Sequence, residues 1–378
     1  MHSHYHIPRL QTLPSLFAAH TATSIVSGMV GIFIPIYLLN LGYSLSAVLF
    51  IIAGIYFANI PFRIFGPRAL VRYGANKCMI AGMISGMFFL LLLAGAKTTP
   101  WLLAPAAVAS GAQSLYWLGF HTTFSELITT HRVGRVVGAA SIITLASTSL
   151  SPALGGVIAG VFGPPALYVA AAVLLATAVV FLLGAKNKVH PRTFDWHRLP
   201  IRKLWRDFLA SSSDGVVVND IEGVVWPLFV FLLIPSYVGV GALSAVIVLT
   251  SALVTLYVAH REETKGELRY LRTGVGIYSL TNILRTIASS TLGIFGVNFL
   301  VGAGRSFIDV AYSSRYYENS RRHAPVEYIV AMELWLSVMI FLVAAALGVL
   351  ALFVPAKVAL LIGLGLAIPF SFGITRVR

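Results

Sequence analysis

Long apolar runs separated by short polar or basic breaks make up almost the whole chain. Each run is long enough to span a bilayer, which takes about 20 apolar residues as a helix. Twelve such segments are predicted, at Leu13–Leu41, Ser44–Phe65, Cys78–Ala96, Trp101–Ile128, Val137–Phe162, Ala166–Ala185, Phe208–Ile234, Val238–Ala259, Gly274–Ser290, Leu292–Ser313, Glu327–Phe353 and Val358–Ile374. Asn282 and Arg285 interrupt the ninth. Turns such as Gly163-Pro164-Pro165 and Pro235-Ser236-Tyr237 are tight and apolar. The first run is too long for a cleaved signal and has no small-residue processing site. Transmembrane strands would need alternating polar lumen positions, which are absent. The expectation is an all-α polytopic membrane protein with twelve transmembrane helices in two pseudo-symmetric six-helix halves. Residues 1–185 and 208–378 form the halves, and residues 186–207 form a basic linker between them.

Composition agrees: 58% of residues are hydrophobic, 11% are charged and the mean hydropathy is +0.86. The single cysteine, Cys78, excludes an internal disulfide and disfavours a cysteine metal site. With the N-terminus inside, all of the 27 Lys and Arg except Lys97, Lys357, Arg285 and Arg305 fall on one side. That asymmetry predicts a multi-pass protein of the plasma (cytoplasmic) membrane with both termini cytoplasmic. It also accounts for the net charge of +14 without nucleic acid as a partner. The linker KNKVHPRTFDWHRLPIRKLWRD is expected to lie on anionic headgroups, with Trp196 and Trp205 at the interface; a lipid-binding regulatory helix is the alternative.

Against this background three acids stand out within the seventh segment: Asp214, Asp220 and Glu222. A charge at mid-membrane costs roughly 2.5–3.5 kcal/mol on insertion scales, so the three must face protein or a water-filled cavity. Acids in such a cavity carry protons or bind cations. On a straight α-helix Asp214 and Glu222 lie about 80° apart, and Asp220 and Glu222 about 160°. One acid is therefore expected to pair internally, unless Gly215 and Gly223 let the helix unwind. Asp214 and Glu222 are expected to face the pathway, with Asp220 the internal partner. The alternative for each acid is a structural pair with Arg305 or Arg285 that locks the halves together.

Several motifs resemble those of the major facilitator superfamily. Between the second and third segments, GPRALVRYGANK is similar to the family's cytoplasmic signature at Arg72, Gly74 and Lys77, with Val71 at the position of its acid and Pro67 at its first glycine. SELITTHRVGRVVGAAS resembles the Arg-Gly-Arg turn that opens the fifth helix, followed by Gly138. SPALGG, with Pro152, Gly155 and Gly156, resembles an element associated with the family's exporters, although Ser147 and Ser151 stand in place of glycines. Small-residue helix packing explains SPALGG equally well.

The resemblance implies a central cavity lined by helices one, four, seven and ten. The buried polar residues fall on those helices: His20, Ser24 and Ser27; Gln113, Tyr116, Trp117 and His121; the three acids with Asn219; Arg305 and Asp309. Arg305 and Asp309 can pair with each other across one helical turn, or Arg305 can bind an anionic group or drive proton release. His20 and His121 can relay protons or serve as neutral hydrogen-bond partners. Tyr116 and Trp117 offer surface for an organic solute or pack between helices. Glu126 and Glu333 are expected to meet basic loop residues. No nucleotide-binding glycine loop occurs, and the terminal HSHYH run resembles a metal site only weakly, so neither cofactor nor metal is expected.

The reading is a monomeric secondary transporter without enzymatic activity. It exchanges a small organic solute for protons, as an exporter, in contact with membrane lipids. Proton- or sodium-coupled uptake of a sugar or other metabolite is the alternative. A polytopic membrane enzyme would carry its acids in sizeable surface loops, and a sensor would not need so many buried ionisable groups.

Overall fold

The computed structural model describes residues 13–127, 144–184, 193–199, 201–262 and 267–377. These residues form helices, with no strand among them. The membrane helices are α1 (Pro14–Asn40), α2 (Leu45–Tyr73), α3 (Ala75–Gly95), α4 (Leu103–Leu127), α5 (Thr144–Phe162), α6 (Pro164–Leu183), α7 (Trp205–Leu233), α8 (Tyr237–Glu262), α9 (Glu267–Ile287), α10 (Thr291–Arg322), α11 (Pro325–Phe353) and α12 (Ala356–Ile374). Ten are apolar enough to cross a membrane by length and composition alone. The exceptions, α4 and α9, carry Gln113 and His121 on one and Asn282 and Arg285 on the other. Glu126's side chain, Arg132, Arg135, Gly138, the HSHYH run and the first part of the linker lie outside the described residues.

α2 and α10 outrun their predicted ends at Phe65 and Ser313 by about two turns. Their basic residues ride on helix, because long cationic side chains reach water while the backbone stays hydrogen-bonded. Arg63, close to the predicted end of the second segment, is buried well inside α2. α2 ends at Gly74, whose φ of +83° turns the chain directly into α3. That backbone conformation strains a residue with a Cβ. Arg72 is exposed, with its guanidinium 5.3 Å from the Tyr73 ring centroid.

α7 is not a uniform helix. Its middle, Val216–Val225, is π-helical, between α-helical Trp205–Gly215 and Trp226–Leu233. The wider turns end just before Pro227, which has no N–H to return to the Gly223 carbonyl.

Helix packing divides the bundle into two sets. In one, α3 packs on α4 and α6, α2 on α4, and α1 on α5 and α6; in the other, α10 packs on α8 and α9, α7 on α11 and α12, and α9 on α12. The sets meet along α2–α11 and α5–α8. At one end of the α2–α11 seam the Ser46 hydroxyl donates to the Gly348 carbonyl at 2.7 Å. Toward the other end Arg63 pairs with Glu333 at 2.9 Å and also donates to its backbone carbonyl. The sequence pattern sets Glu333 against a basic loop; because α2 continues through residue 63, it meets a helix instead.

SPALGG lies where α5 is wedged between α1 and α8. A Cβ on Gly155 would fall 2.2 Å from the Met29 carbonyl oxygen of α1. A Cβ on Gly156 would fall 2.5 Å from the Tyr237 carbonyl oxygen of α8, and one on Gly241 would fall 2.5 Å from the Pro152 carbonyl oxygen. The two sets thus touch backbone to backbone, an approach that only small residues allow.

The second part of the linker makes contacts with protein. The Asp195 N–H donates to Glu327 at 3.1 Å, Arg198 lies 3.8 Å from the same carboxylate, and Leu199 and Leu204 are buried. Trp196 packs edge-on against Phe194, whereas Trp205 stays half exposed.

Gly156→Leu and Gly241→Leu are expected to destabilise the protein by about 1–3 kcal/mol through overpacking. Gly54→Leu, which faces open space, is expected to be neutral. Thermal unfolding of the three purified variants in detergent checks this.

Candidate functional site

The three acids of α7 have three different surroundings. Glu222 is tied to the second set of helices. Arg285 of α9 donates from both Nη atoms to its two carboxylate oxygens at 2.6 and 2.7 Å, and the Tyr278 hydroxyl donates at 2.5 Å. The guanidinium is 0% exposed, donates further to the Asn282 amide oxygen at 3.1 Å and stacks 4.2 Å from the Trp226 ring centroid. The Trp226 indole N–H donates to Asn298 at 2.9 Å, and Asn298 donates to the Leu243 carbonyl at 2.7 Å. Bidentate geometry and a stacked ring are what allow an arginine to be buried in this environment. The network joins α7, α8, α9 and α10, so this pair ties one set of helices together rather than locking the two sets to each other.

Asp214 shares a cation with Asp309. Arg305 of α10 donates to Asp214 at 3.0 Å and also pairs with Asp309 one turn along its own helix. Ionised, the three carry a net single negative charge. The Asp309 carboxylate is 47% exposed, and the Arg305 Nη1, although buried, has no partner among the described residues. The cluster therefore keeps free acceptor capacity and one free donor, in the middle of a helix where no loop can reach it.

Asp220 is 2% exposed, and its Oδ2 has no hydrogen-bond donor among the described residues. It is Glu222, not Asp220, that is held by an internal cation. The 100° spacing used for a straight helix does not hold through π turns.

Across the bundle, α1 and α4 present aromatic rings. His20 lies 2.9 Å from the Tyr116 hydroxyl and is stacked 3.9 Å from Phe120. Trp117 stands edge-on to His20 and stacks on His121 at 5.8 Å. His121 bridges the two sets, at 2.8 Å from the Tyr317 hydroxyl of α10 and 3.9 Å from Glu333. Tyr312 and Tyr316 follow Arg305 and Asp309 on the same face of α10, and Tyr316 lies 6.4 Å from His121. Tyr116 is buried, and Gln113 sits in the α3–α4 seam, where its amide would lie 3.0 Å from a Cβ on Gly86. Tyr116 has no open face, whereas Gln113 is partly exposed. Trp117, His121, Asp214 and Asp309 are partly exposed, and Arg305 keeps a donor without a partner among the described residues.

The partners of the Glu222 pair are not marked in the sequence. Trp226, Tyr278 and Asn298 look like ordinary members of apolar runs, and only Arg285 signals the site. Among the described residues no group of three His, Cys, Asp or Glu could hold a metal ion.

A family model described as Major Facilitator Superfamily matches residues 16–377. No curated protein matches the chain. Among solved structures, the crystal structure of the nucleoside transporter NupG is similar, with a TM-score of 0.68 at 13% identity over 97% of this chain and 98% of that one. A point mutant of the same transporter gives 0.69 at 12% identity, over 96% and 98% of the two chains. A POT family transporter in complex with a thioalcohol-conjugated peptide gives 0.67 at 11% identity, over 96% and 95%. These likenesses show a shared fold.

Arg285→Met leaves Glu222 buried without its cation and is expected to cost about 3–5 kcal/mol, while Glu222→Met with Arg285→Met recovers most of the loss. Unfolding midpoints of the single and double variants in detergent measure this; a single variant as stable as the parent contradicts it.

Proposed function

The chain belongs to the major facilitator superfamily, and from that premise we propose that it moves a small organic solute across the plasma membrane by proton-coupled alternating access, as an exporter. The observation that carries this reading is Arg305, midway along α10, shared between Asp214 and Asp309, with one carboxylate half exposed. A solute bearing a positively charged or hydrogen-bond-donating group satisfies the spare acceptors, and its acceptor atoms meet the free Arg305 donor. Trp117 and His121 supply a flat surface against which a ring or alkyl body packs.

Export by antiport follows from competition. A proton and a donor-bearing solute both neutralise the excess charge of the cluster, so binding of one favours release of the other. The loop charges favour both termini in the cytoplasm and the basic end of the bundle inside. The halves at 1–185 and 208–378 are the bodies that rock, as a monomer, with the linker at 186–207 as their tether. Uptake by symport is the second reading: NupG is a nucleoside transporter and the POT family structure holds a peptide conjugate, so nucleosides and short peptides belong among the solutes tested.

The test is proteoliposome flux of nucleosides, short peptides, sugars and organic amines, with and without an imposed pH gradient. A transported solute is expected to respond to the gradient. Asp214→Asn and Asp309→Asn are each expected to lower its flux about tenfold or more, the effect of losing one charge-assisted contact. Flux that ignores the gradient and both substitutions contradicts the reading.

A further inference from the structure

Positive charge gathers without an acidic partner where the linker enters α7. Arg202, Lys203 and Arg206 are all exposed there. None of the three pairs with an acid among the described residues, whereas Arg63, Arg198 and Arg322 do. Asp207 is the only acid between Asp195 and Asp214 in the sequence. It is buried, and Asn319 of α10 donates to it at 3.5 Å, so it is turned away from the exposed cations. The cations are also held in place. Leu199 and Leu204 are buried on either side of Arg202 and Lys203, and Asp195 and Arg198 engage Glu327 of α11.

Beside these cations lies apolar surface that faces outward. Trp205, Arg206 and Leu209 fall on one face of α7 by their spacing of three and four residues. Trp205 and Leu209 are exposed, whereas the helix is buried from Ala210 to Ser213. The open face is therefore confined to the start of the helix. α12 forms its wall: a Cβ on Gly373 would fall 2.1 Å from the Ser213 hydroxyl oxygen and 3.9 Å from the Leu209 side chain. Phe372 is exposed, and the Arg376 N–H donates to the Gly373 carbonyl at 3.1 Å, so Arg376 sits one turn further along. Arg376 is a fourth exposed cation, and α12 contains no acid.

An exposed indole at the end of a membrane helix belongs at the boundary between hydrocarbon and headgroups. The Arg206 guanidinium lies 5.4 Å from the Trp205 ring centroid, which sets charge and ring at one level. We infer that this corner between α7 and α12 binds an anionic phospholipid. Its phosphate meets Arg202, Lys203 and Arg206, with Arg376 adding charge, and an acyl chain runs along Leu209 and Phe372. Charge alone would accept any anion. The apolar wall, continuous with the outer surfaces of two membrane helices, selects one that carries a chain. A lipid held there ties the end of the linker to the end of α12, whatever solute the protein moves.

The test is tryptophan fluorescence of purified full-length protein in phosphatidylcholine vesicles doped with acyl-brominated phosphatidylglycerol or acyl-brominated phosphatidylcholine. The anionic lipid is expected to quench at about a tenfold lower mole fraction than the zwitterionic one. Most of that preference is expected to be lost in Trp205→Phe, which removes the reporter, and in Arg202→Gln/Lys203→Gln/Arg206→Gln, which removes the charges. Arg68→Gln/Arg321→Gln/Arg322→Gln, an equal loss of charge elsewhere at the basic end, is expected to keep it. If the first triple variant does not fold, Arg206→Gln and Trp205→Phe decide. Equal quenching by the two lipids overturns the proposal, as does a preference that survives the first triple variant or falls equally in the second. So does its reversal by inorganic phosphate but not by chloride at equal ionic strength, which would make this a site for the free ion.

Discussion

The contact between Glu222 and Arg285 is the one on which the second set of helices depends. A guanidinium in hydrocarbon is tolerated only with its charge offset and its donors met. Here two carboxylate contacts, an asparagine and an indole face offset the charge and engage both Nη atoms, while the buried Nε has no partner among the described residues. The pair joins α7 to α9 directly, and the stacked Trp226 extends the network through Asn298 of α10 to the Leu243 carbonyl of α8. It also absorbs the acid nearest the cation and leaves the other two acids of α7 to other work. Glu222 thus stabilises the fold, and Asp214 and Asp220 are the acids not committed to it.

The charge is distributed unevenly between the two sets. Asp214, Asp220, Glu222, Arg285, Arg305, Asp309 and Glu333 all lie on α7, α9, α10 and α11, while α1 and α4 contribute rings, hydroxyls and imidazoles. Among the described residues the polar contacts between the sets include Ser46 with Gly348 and Asn40 with Tyr237 toward one end, Arg63 with Glu333 and His121 with Tyr317 toward the other, and Tyr56 with Asn219 between them. Beside Asn40 and Tyr237 the α5–α8 crossing is bare backbone. Polar contacts concentrated at two ends, with a small-residue crossing at one of them, are suited to bodies that part at one end while closing at the other.

The existence and class of the helices are legible in the sequence, since apolar length alone sets them in a membrane. Their ends are not: basic residues read as loop, so α2 and α10 run about two turns past their predicted ends, and the bond between Arg63 and Glu333 cannot be read from the pattern. The choice of acids fails for a different reason. A fixed 100° step sets Glu222 toward the pathway and Asp220 inward, and the π turns before Pro227 break that step. Trp226, Tyr278 and Asn298 are invisible because their roles arise from contacts distant in sequence. SPALGG is visible as a motif, but its division of labour, with Gly155 facing α1 and Gly156 facing α8, needs coordinates.

The central claim is that the two sets move as bodies and open the bundle alternately at its two ends. Cys78 is the single native cysteine, so a Cys78→Ala background accepts spin-label pairs across each end. One pair joins positions 77 and 322 at the basic end, and the other joins positions 97 and 357 at the opposite end. Electron–electron distance measurements in nanodiscs, from neutral to acidic pH, are expected to show one distance lengthening as the other shortens. Distances that stay fixed at both ends, or change in the same sense, would contradict the account.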